Sequence, residues 1–132
     1  MIPLATASSD RSTLVAPALG QHSLFDFHAC AAEALRDTER LRIAMLAAVR
    51  AAGGTIVNET FHTFSPHGVS GVIVIAESHV TIHTWPEFGY AAVDVFSCGV
   101  SLRHEIIREQ LASVLESKRV EQRAFPRGAI VL

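Results

Sequence analysis

Between Val69 and Cys98 three β-prone runs follow one another with short interruptions. Val69–Ile75 is almost wholly apolar. His79–Thr84 alternates, with Val80 and Ile82 on one face and His79, Thr81 and His83 on the other. Tyr90–Cys98 alternates again and groups Tyr90, Ala92, Asp94, Phe96 and Cys98 on one side. Successive strand side chains point to opposite faces, so these patterns predict strands with one buried and one open side. The first interruption is Ala76-Glu77-Ser78, which ends the first run. The second is Trp85-Pro86-Glu87-Phe88-Gly89, a turn punctuated by Pro and Gly.

The rest of the chain supplies partners for that sheet. Gly20 opens a strand in which Ser23, Phe25 and Phe27 alternate with His22, Leu24, Asp26 and His28. Leu41, Ala44, Met45, Ala48, Val49 and Ala52 then recur at helical spacing, an apolar stripe that packs on a sheet. Asp37 or Thr38 caps its start and Gly53-Gly54 stops it. Thr55–Phe64 reads as a strand and Ser65-Pro66-His67-Gly68 as a turn. Ile106, Ile107, Gln110, Leu111, Val114 and Leu115 predict a second helix, with Lys118 and Arg119 near its end to suit the negative pole of its dipole. Val120–Phe125 is a last strand, followed by a turn at Pro126-Arg127-Gly128. Helices on one face of a mainly antiparallel sheet bury both stripes, which makes an α+β two-layer sandwich. Residues 1–18 read as a flexible tail and 19–132 as one domain.

Composition excludes several classes. With 132 residues, 49% of them hydrophobic and 18% charged, the chain buries a core without disulfides. A net charge of -2 leaves no basic footprint for nucleic acid. Two cysteines, Cys30 and Cys98, make no disulfide framework. No segment reads as a signal peptide or a membrane span, so the expected location is the cytoplasm.

The chemistry-bearing residues crowd one stretch. Glu77, Ser78, His79 and His83 put a carboxylate, a hydroxyl and two imidazoles within seven residues. A lone serine at a strand end is ordinarily a turn residue. An activated hydroxyl needs a base, and His83 is in reach if the chain folds back. A Ser-His-Asp hydrolase is disfavoured: there is no Gly-x-Ser-x-Gly elbow, and Gly68-Val69-Ser70-Gly71 has the wrong spacing. His79 and His83 share a face but stand too far apart to hold one metal ion unaided. A zinc site would need His62, His28 or Cys98, and no CxxC or HExxH spacing exists, so no metal is expected. By default Cys98 is a small buried hydrophobe. Trp85 and Phe64 are by default core or rim aromatics, and Glu87 a solvated acid.

The block from Glu77 to Glu87, continued by Gly89-Tyr90-Ala91-Ala92-Val93-Asp94-Val95-Phe96-Ser97-Cys98-Gly99, resembles the processing and active-site segment of the prokaryotic S-adenosylmethionine decarboxylase proenzymes, a pyruvoyl-dependent family. The resemblance extends back through Phe61-His62-Thr63-Phe64-Ser65-Pro66-His67-Gly68-Val69-Ser70-Gly71 and more faintly to Leu19-Gly20-Gln21-His22. It covers most of residues 19–128.

The resemblance implies a self-cleaving chain. Ser78 attacks the Glu77 carbonyl to form an ester, and β-elimination then releases residues 1–77 as a β chain. Ser78 is left as a pyruvoyl group at the head of the 78–132 α chain. His83 matches the family's proton-transfer histidine in processing, a task suited to imidazole near neutral pH. The pyruvoyl ketone forms a Schiff base with the substrate amine and accepts the electrons left by departing CO2. Cys98 matches the proton donor of turnover. Glu87 matches a ribose-binding residue, Phe64 faces the adenine or the sulfonium, where an aromatic face attracts a cation, and Ser70 matches an active-site hydroxyl. The product is decarboxylated S-adenosylmethionine for polyamine and spermidine synthesis. The expected assembly is a heterotetramer of two α and two β chains.

The sequence departs from the family pattern at three places. Gly20-Gln21-His22 stands where relatives commonly have Gly-Lys/Arg-His, Thr63 where they have a basic residue, and Asp26 where they have glutamate. These leave open a pyruvoyl-dependent decarboxylase of ornithine or arginine. A non-catalytic α+β ligand-binding module is the alternative of another class.

Overall fold

The computed structural model describes residues 15–16, 18–128 and 130–131. Along the chain run β1 (Val15–Ala16), β2 (Gly20–His28), α1 (Ala32–Arg36), α2 (Thr38–Ala51), β3 (Ile56–Thr63), β4 (Val69–Ile75) and β5 (Ser78–Trp85). A 3-10 turn (Pro86–Phe88) leads to β6 (Tyr90–Cys98), α3 (His104–Val114), β7 (Arg119–Arg127) and β8 (Ile130–Val131).

The three strands read between Val69 and Cys98 lie side by side in a six-stranded sheet of order β3-β4-β5-β6-β2-β7. Every pairing in it is antiparallel. The expected two-layer α+β architecture is therefore what forms. One face carries the helices. Phe25, Phe27, Ile73, Val80, Ile82, Val93 and Val95 from the strands meet Leu35, Leu41, Met45, Val49, Ile107 and Leu111 from the helices in one buried cluster. Burying each such side chain contributes about 1.5–3 kcal/mol, which is what fixes strand register. The other face carries His22, Asp26, His28, Ser70, His79, Thr81, His83, Asp94 and Phe96, the alternate positions of the same strands.

Local signals explain the ends of the elements. Asp37 caps α2 by accepting from Arg40 N–H at 3.1 Å. Gly53, with φ of 93°, ends the run after α2, a backbone conformation costly for any side chain. Gly89 combines φ of 61° with a Cβ position only 3.2 Å from the Cys30 carbonyl, so a side chain in the turn before β6 would be both strained and crowded.

The structure changes four details. Ser78 does not end the third predicted strand: Ala76 and Glu77 alone make the hairpin turn, and Ser78 is the first residue of β5, paired with Ile75. A tight two-residue turn leaves Ser78 inside the ladder. Ala32–Arg36 forms a short helix between β2 and α2, a segment in which the sequence pattern marks no element. α3 ends at Val114, before the expected basic residues; Lys118 N–H instead donates to the His28 carbonyl at 3.1 Å and Arg119 starts β7. Of the predicted tail, residues 1–14 and 17 lie outside the described residues, whereas Val15–Ala16 pair with Ile130–Val131 as a two-stranded ribbon. Among the described residues no helix is long and apolar enough to cross a membrane.

Candidate active site

The predicted site residues fall into two groups at opposite ends of β5. The first group surrounds the Glu77–Ser78 peptide. The Glu77 carbonyl oxygen accepts from Cys98 N–H at 2.9 Å and from the Cys98 thiol at 3.3 Å. β6 outlasts β5 by one residue, Cys98, and this overhang is what brings both donors onto that carbonyl. The Glu77 carboxylate is tied down in turn, accepting from Thr55 N–H at 3.1 Å and from the Thr55 hydroxyl at 3.4 Å. Ser78 has φ of 155°, outside the common regions for an L residue, and such positions store about 1–3 kcal/mol of strain. The bond most in question thus has a polarised carbonyl on one side and a strained residue on the other.

The second group gathers around His83. Ser70 on β4 lies directly opposite His83 on β5, and its hydroxyl is 2.8 Å from His83 Nδ1. Within the 3-10 turn, Glu87 pairs with His67 Nε2 at 3.2 Å. Phe64, exposed at the end of β3, meets the His62 ring edge to face at 4.5 Å. Trp85 and Tyr90 rings stand 5.2 Å apart nearby. The turn 65–68 holds this end together, with Phe64 N–H donating to the Gly68 carbonyl at 2.8 Å.

The two groups are not brought together within one chain. Five residues of extended strand separate Ser78 from His83, about 16 Å at the usual rise. Their parity also differs: Ser78 pairs with the buried Ser97, whereas His83 pairs with Ala92 on the open face. β5 is a continuous strand, so the chain does not fold back here.

Three residues to which the sequence assigned no role lie on the Ser78 side of β5. Ser23 and Ser97 occupy helix-facing positions among Phe25, Phe27, Val93 and Val95, at 4% and 1% exposure. His104, the first residue of α3, sits between them: Nδ1 is 2.7 Å from the Ser23 hydroxyl and Nε2 2.7 Å from the Ser97 hydroxyl. Burial, and less so His22, pulls the His104 pKa below the ordinary imidazole value, against an opposing effect of Glu105. The signal that could have found them was two serines interrupting apolar alternations; nothing in the sequence linked them to His104. A cavity of about 480 Å³ opens beside them, lined also by Gln21, Gly99 and Gln122. Among the described residues no three His, Cys, Asp or Glu side chains are grouped to hold a metal ion.

Comparison with known proteins identifies the family. Residues 21–128 match the family described as S-adenosylmethionine decarboxylase. The S-adenosylmethionine decarboxylase proenzyme of Thermodesulfovibrio yellowstonii is 45% identical over 113 residues, covering 86% of this chain and 84% of that one. The proenzyme of Thermotoga maritima is 46% identical over 110 residues, 83% of this chain and 85% of that one. The crystal structure of the adenosylmethionine decarboxylase from Aquifex aeolicus superposes with a TM-score of 0.80 at 35% identity, covering 86% of this chain and 93% of that one. These relatives give no support to the ornithine- or arginine-decarboxylase alternative or to a non-catalytic module. The chain belongs to the S-adenosylmethionine decarboxylase family.

Proposed function

We propose that the chain breaks its own Glu77–Ser78 bond and that Ser78 becomes the pyruvoyl group with which S-adenosylmethionine is decarboxylated. The observation that carries this reading is the pair of Cys98 donors on the Glu77 carbonyl. Negative charge develops on that oxygen when the Ser78 hydroxyl adds to the carbon, and donors already in place stabilise it without reorganisation. The amide then breaks, its nitrogen takes a proton, and Glu77 is held as an ester on Ser78. Loss of the Ser78 Cα proton expels the Glu77 carboxylate, and hydrolysis of the resulting dehydroalanine leaves a ketone and ammonia. His83 takes the Cα proton, with Ser70 fixing its ring.

The ketone supplies an electron sink for the pair left behind when CO2 departs. Cys98, adjacent to Ser78, returns a proton to the substrate carbon. Glu87, fixed by His67, accepts from the ribose hydroxyls, and the exposed Phe64 ring offers its face to the sulfonium.

Because His83 and Ser78 stand about 16 Å apart in one chain, a complete site takes Ser78 and Cys98 from one copy and His83, Ser70, Glu87 and Phe64 from another. Two cleaved copies then make the heterotetramer of two α and two β chains, packed through the open, polar sheet faces. Denaturing mass spectrometry of the purified protein tests the reading. Two masses are expected, residues 1–77 and a 78–132 chain that begins with a ketone; a single unmodified full-length mass overturns it.

A further inference from the structure

The chemistry at Ser78 needs two different proton transfers, and His83 serves only one of them. Before any ester forms, the Ser78 hydroxyl must lose a proton while the leaving nitrogen gains one. The Ser23–His104–Ser97 cluster lies on the Ser78 side of β5, in the same chain.

Ser97 is the direct register partner of Ser78. Cys98 N–H bonds to the Glu77 carbonyl, one residue outside that pair, so Ser78 and Ser97 form a non-hydrogen-bonded pair. Such pairs bring side chains closest, with Cβ atoms about 4.5–5.5 Å apart on a shared face. Ser97 is fully buried, and the partner resolved for its hydroxyl is His104 Nε2 at 2.7 Å. Nδ1 is engaged by Ser23 at 2.7 Å. A neutral imidazole has one donor and one acceptor nitrogen. With Nδ1–H donating to Ser23, Nε2 accepts from the Ser97 hydroxyl, which keeps its own lone pairs for the Ser78 hydroxyl. Ser23 orients the ring much as a carboxylate orients the base of a hydrolase triad, but without adding charge.

We infer that His104, acting through Ser97, is the positioning residue and proton sink for the first step of maturation, the shift of the Glu77 acyl group from the Ser78 nitrogen to its oxygen. The inference rests on the self-cleavage reading above and adds a base within the same chain. As Ser78 Oγ bonds to the Glu77 carbon, its proton passes to Ser97 Oγ and the Ser97 proton to His104 Nε2. When the carbon–nitrogen bond breaks, the same two protons return in reverse order and the nitrogen becomes an amine. The net change is amide to ester, with no proton gained or lost. His83 of a second copy enters afterwards, at the Cα proton.

The groups around His104 suit a neutral ring. β6 offers Ser97 and β2 offers Gln21 and Ser23, while β7 offers Gln122 and Ala124. The charged wall residue is Glu105 on α3 itself, and His22 acts through β2. A neutral His104 is the form that takes a proton, so the cleavage rate should fall only at pH values below the ordinary imidazole range.

The test follows cleavage of freshly isolated full-length precursor from pH 5 to 9, with and without hydroxylamine, which traps an ester by cutting it. His104→Gln and Ser97→Ala are expected to slow cleavage about 100-fold or more, the usual contribution of a general base. The residual rate should lose its acid limb, and hydroxylamine should not restore cleavage, because the ester does not form. Ser97→Thr keeps a hydroxyl and should cleave within a few-fold of the parent rate. His83→Ala should differ in kind, accumulating ester that hydroxylamine cuts. Circular dichroism confirms folding, and Ser97→Thr carries the comparison if His104→Gln does not fold. Normal cleavage with an unchanged pH profile in Ser97→Ala or His104→Gln overturns the inference and leaves self-cleavage standing. A parent chain that stays full length overturns both.

Discussion

Ser78 and His83 lie at opposite ends of strand β5 and on opposite faces of the sheet. Each is anchored locally, Ser78 opposite Ser97 and His83 by Ser70. No side-chain rotation within one chain closes about 16 Å. His83 therefore acts in our scheme on the Ser78 of a second copy.

That arrangement predicts complementation. Ser78→Ala alone should remain uncleaved because the nucleophile is gone. His83→Ala alone should stall with little release of residues 1–77. When the two are co-expressed, mixed dimers pair the intact Ser78 of one copy with the intact His83 of the other. Mass spectrometry should then show cleavage of the His83→Ala chain only. Absence of cleavage in verified mixed dimers would place the working His83 within the same chain.

Cys98 touches the Glu77 carbonyl through both its backbone and its thiol. Cys98→Ala removes the thiol and keeps the N–H, so cleavage should slow by about tenfold, the worth of one modest hydrogen bond, and still proceed. Turnover should fall much further because the proton donor is lost. Cys98→Ser should recover most of the cleavage rate without recovering CO2 release, since a hydroxyl is far less acidic than a thiol. Equal recovery of both activities would argue against a separate proton-donor role.

Thr84 ties three elements together. Its buried hydroxyl donates to the Leu35 carbonyl at 2.7 Å and accepts from Val69 N–H at 2.9 Å. Thr84→Val keeps the shape and leaves both backbone groups without their partner. A loss of about 2 kcal/mol of stability is expected in urea unfolding of the Ser78→Ala chain, which stays intact. A loss below about 0.5 kcal/mol would show that the pair is dispensable.

The depressed pKa of His104 makes stability depend on pH in a known direction. The folded chain holds His104 neutral, whereas the unfolded chain protonates it near the ordinary value of about 6.5. The unfolded state binds more protons below that point, so this contribution is complete above about pH 6.5 and is lost as pH falls toward the folded-state value. Thermal unfolding of Ser78→Ala between pH 5 and 8 should show the decline, and adding His104→Gln should flatten it.

Much of this protein was legible in its sequence because the relevant signals are local. Alternation fixed the faces of Ser23–Phe27 and Tyr90–Cys98, since a residue's side of a strand follows from its parity alone. The apolar stripe and the Asp37 cap located α2, and Gly53 marked its end. The resemblance around Ser78 carried the family. What tertiary structure decided was proximity. Two-residue turn closure moved Ser78 into β5, and the one-residue overhang of β6 put Cys98 on the Glu77 carbonyl. Register brought Ser70 opposite His83 and Ser97 opposite Ser78. The packing of α3 on the sheet, 81 residues along from Ser23, set His104 between two serines. Such contacts join segments distant in the chain, and their register is chosen by burial of the whole apolar face rather than by any residue in the contact. Sequence spacing placed His83 five residues from Ser78; the extended backbone between them made that a separation instead of a contact.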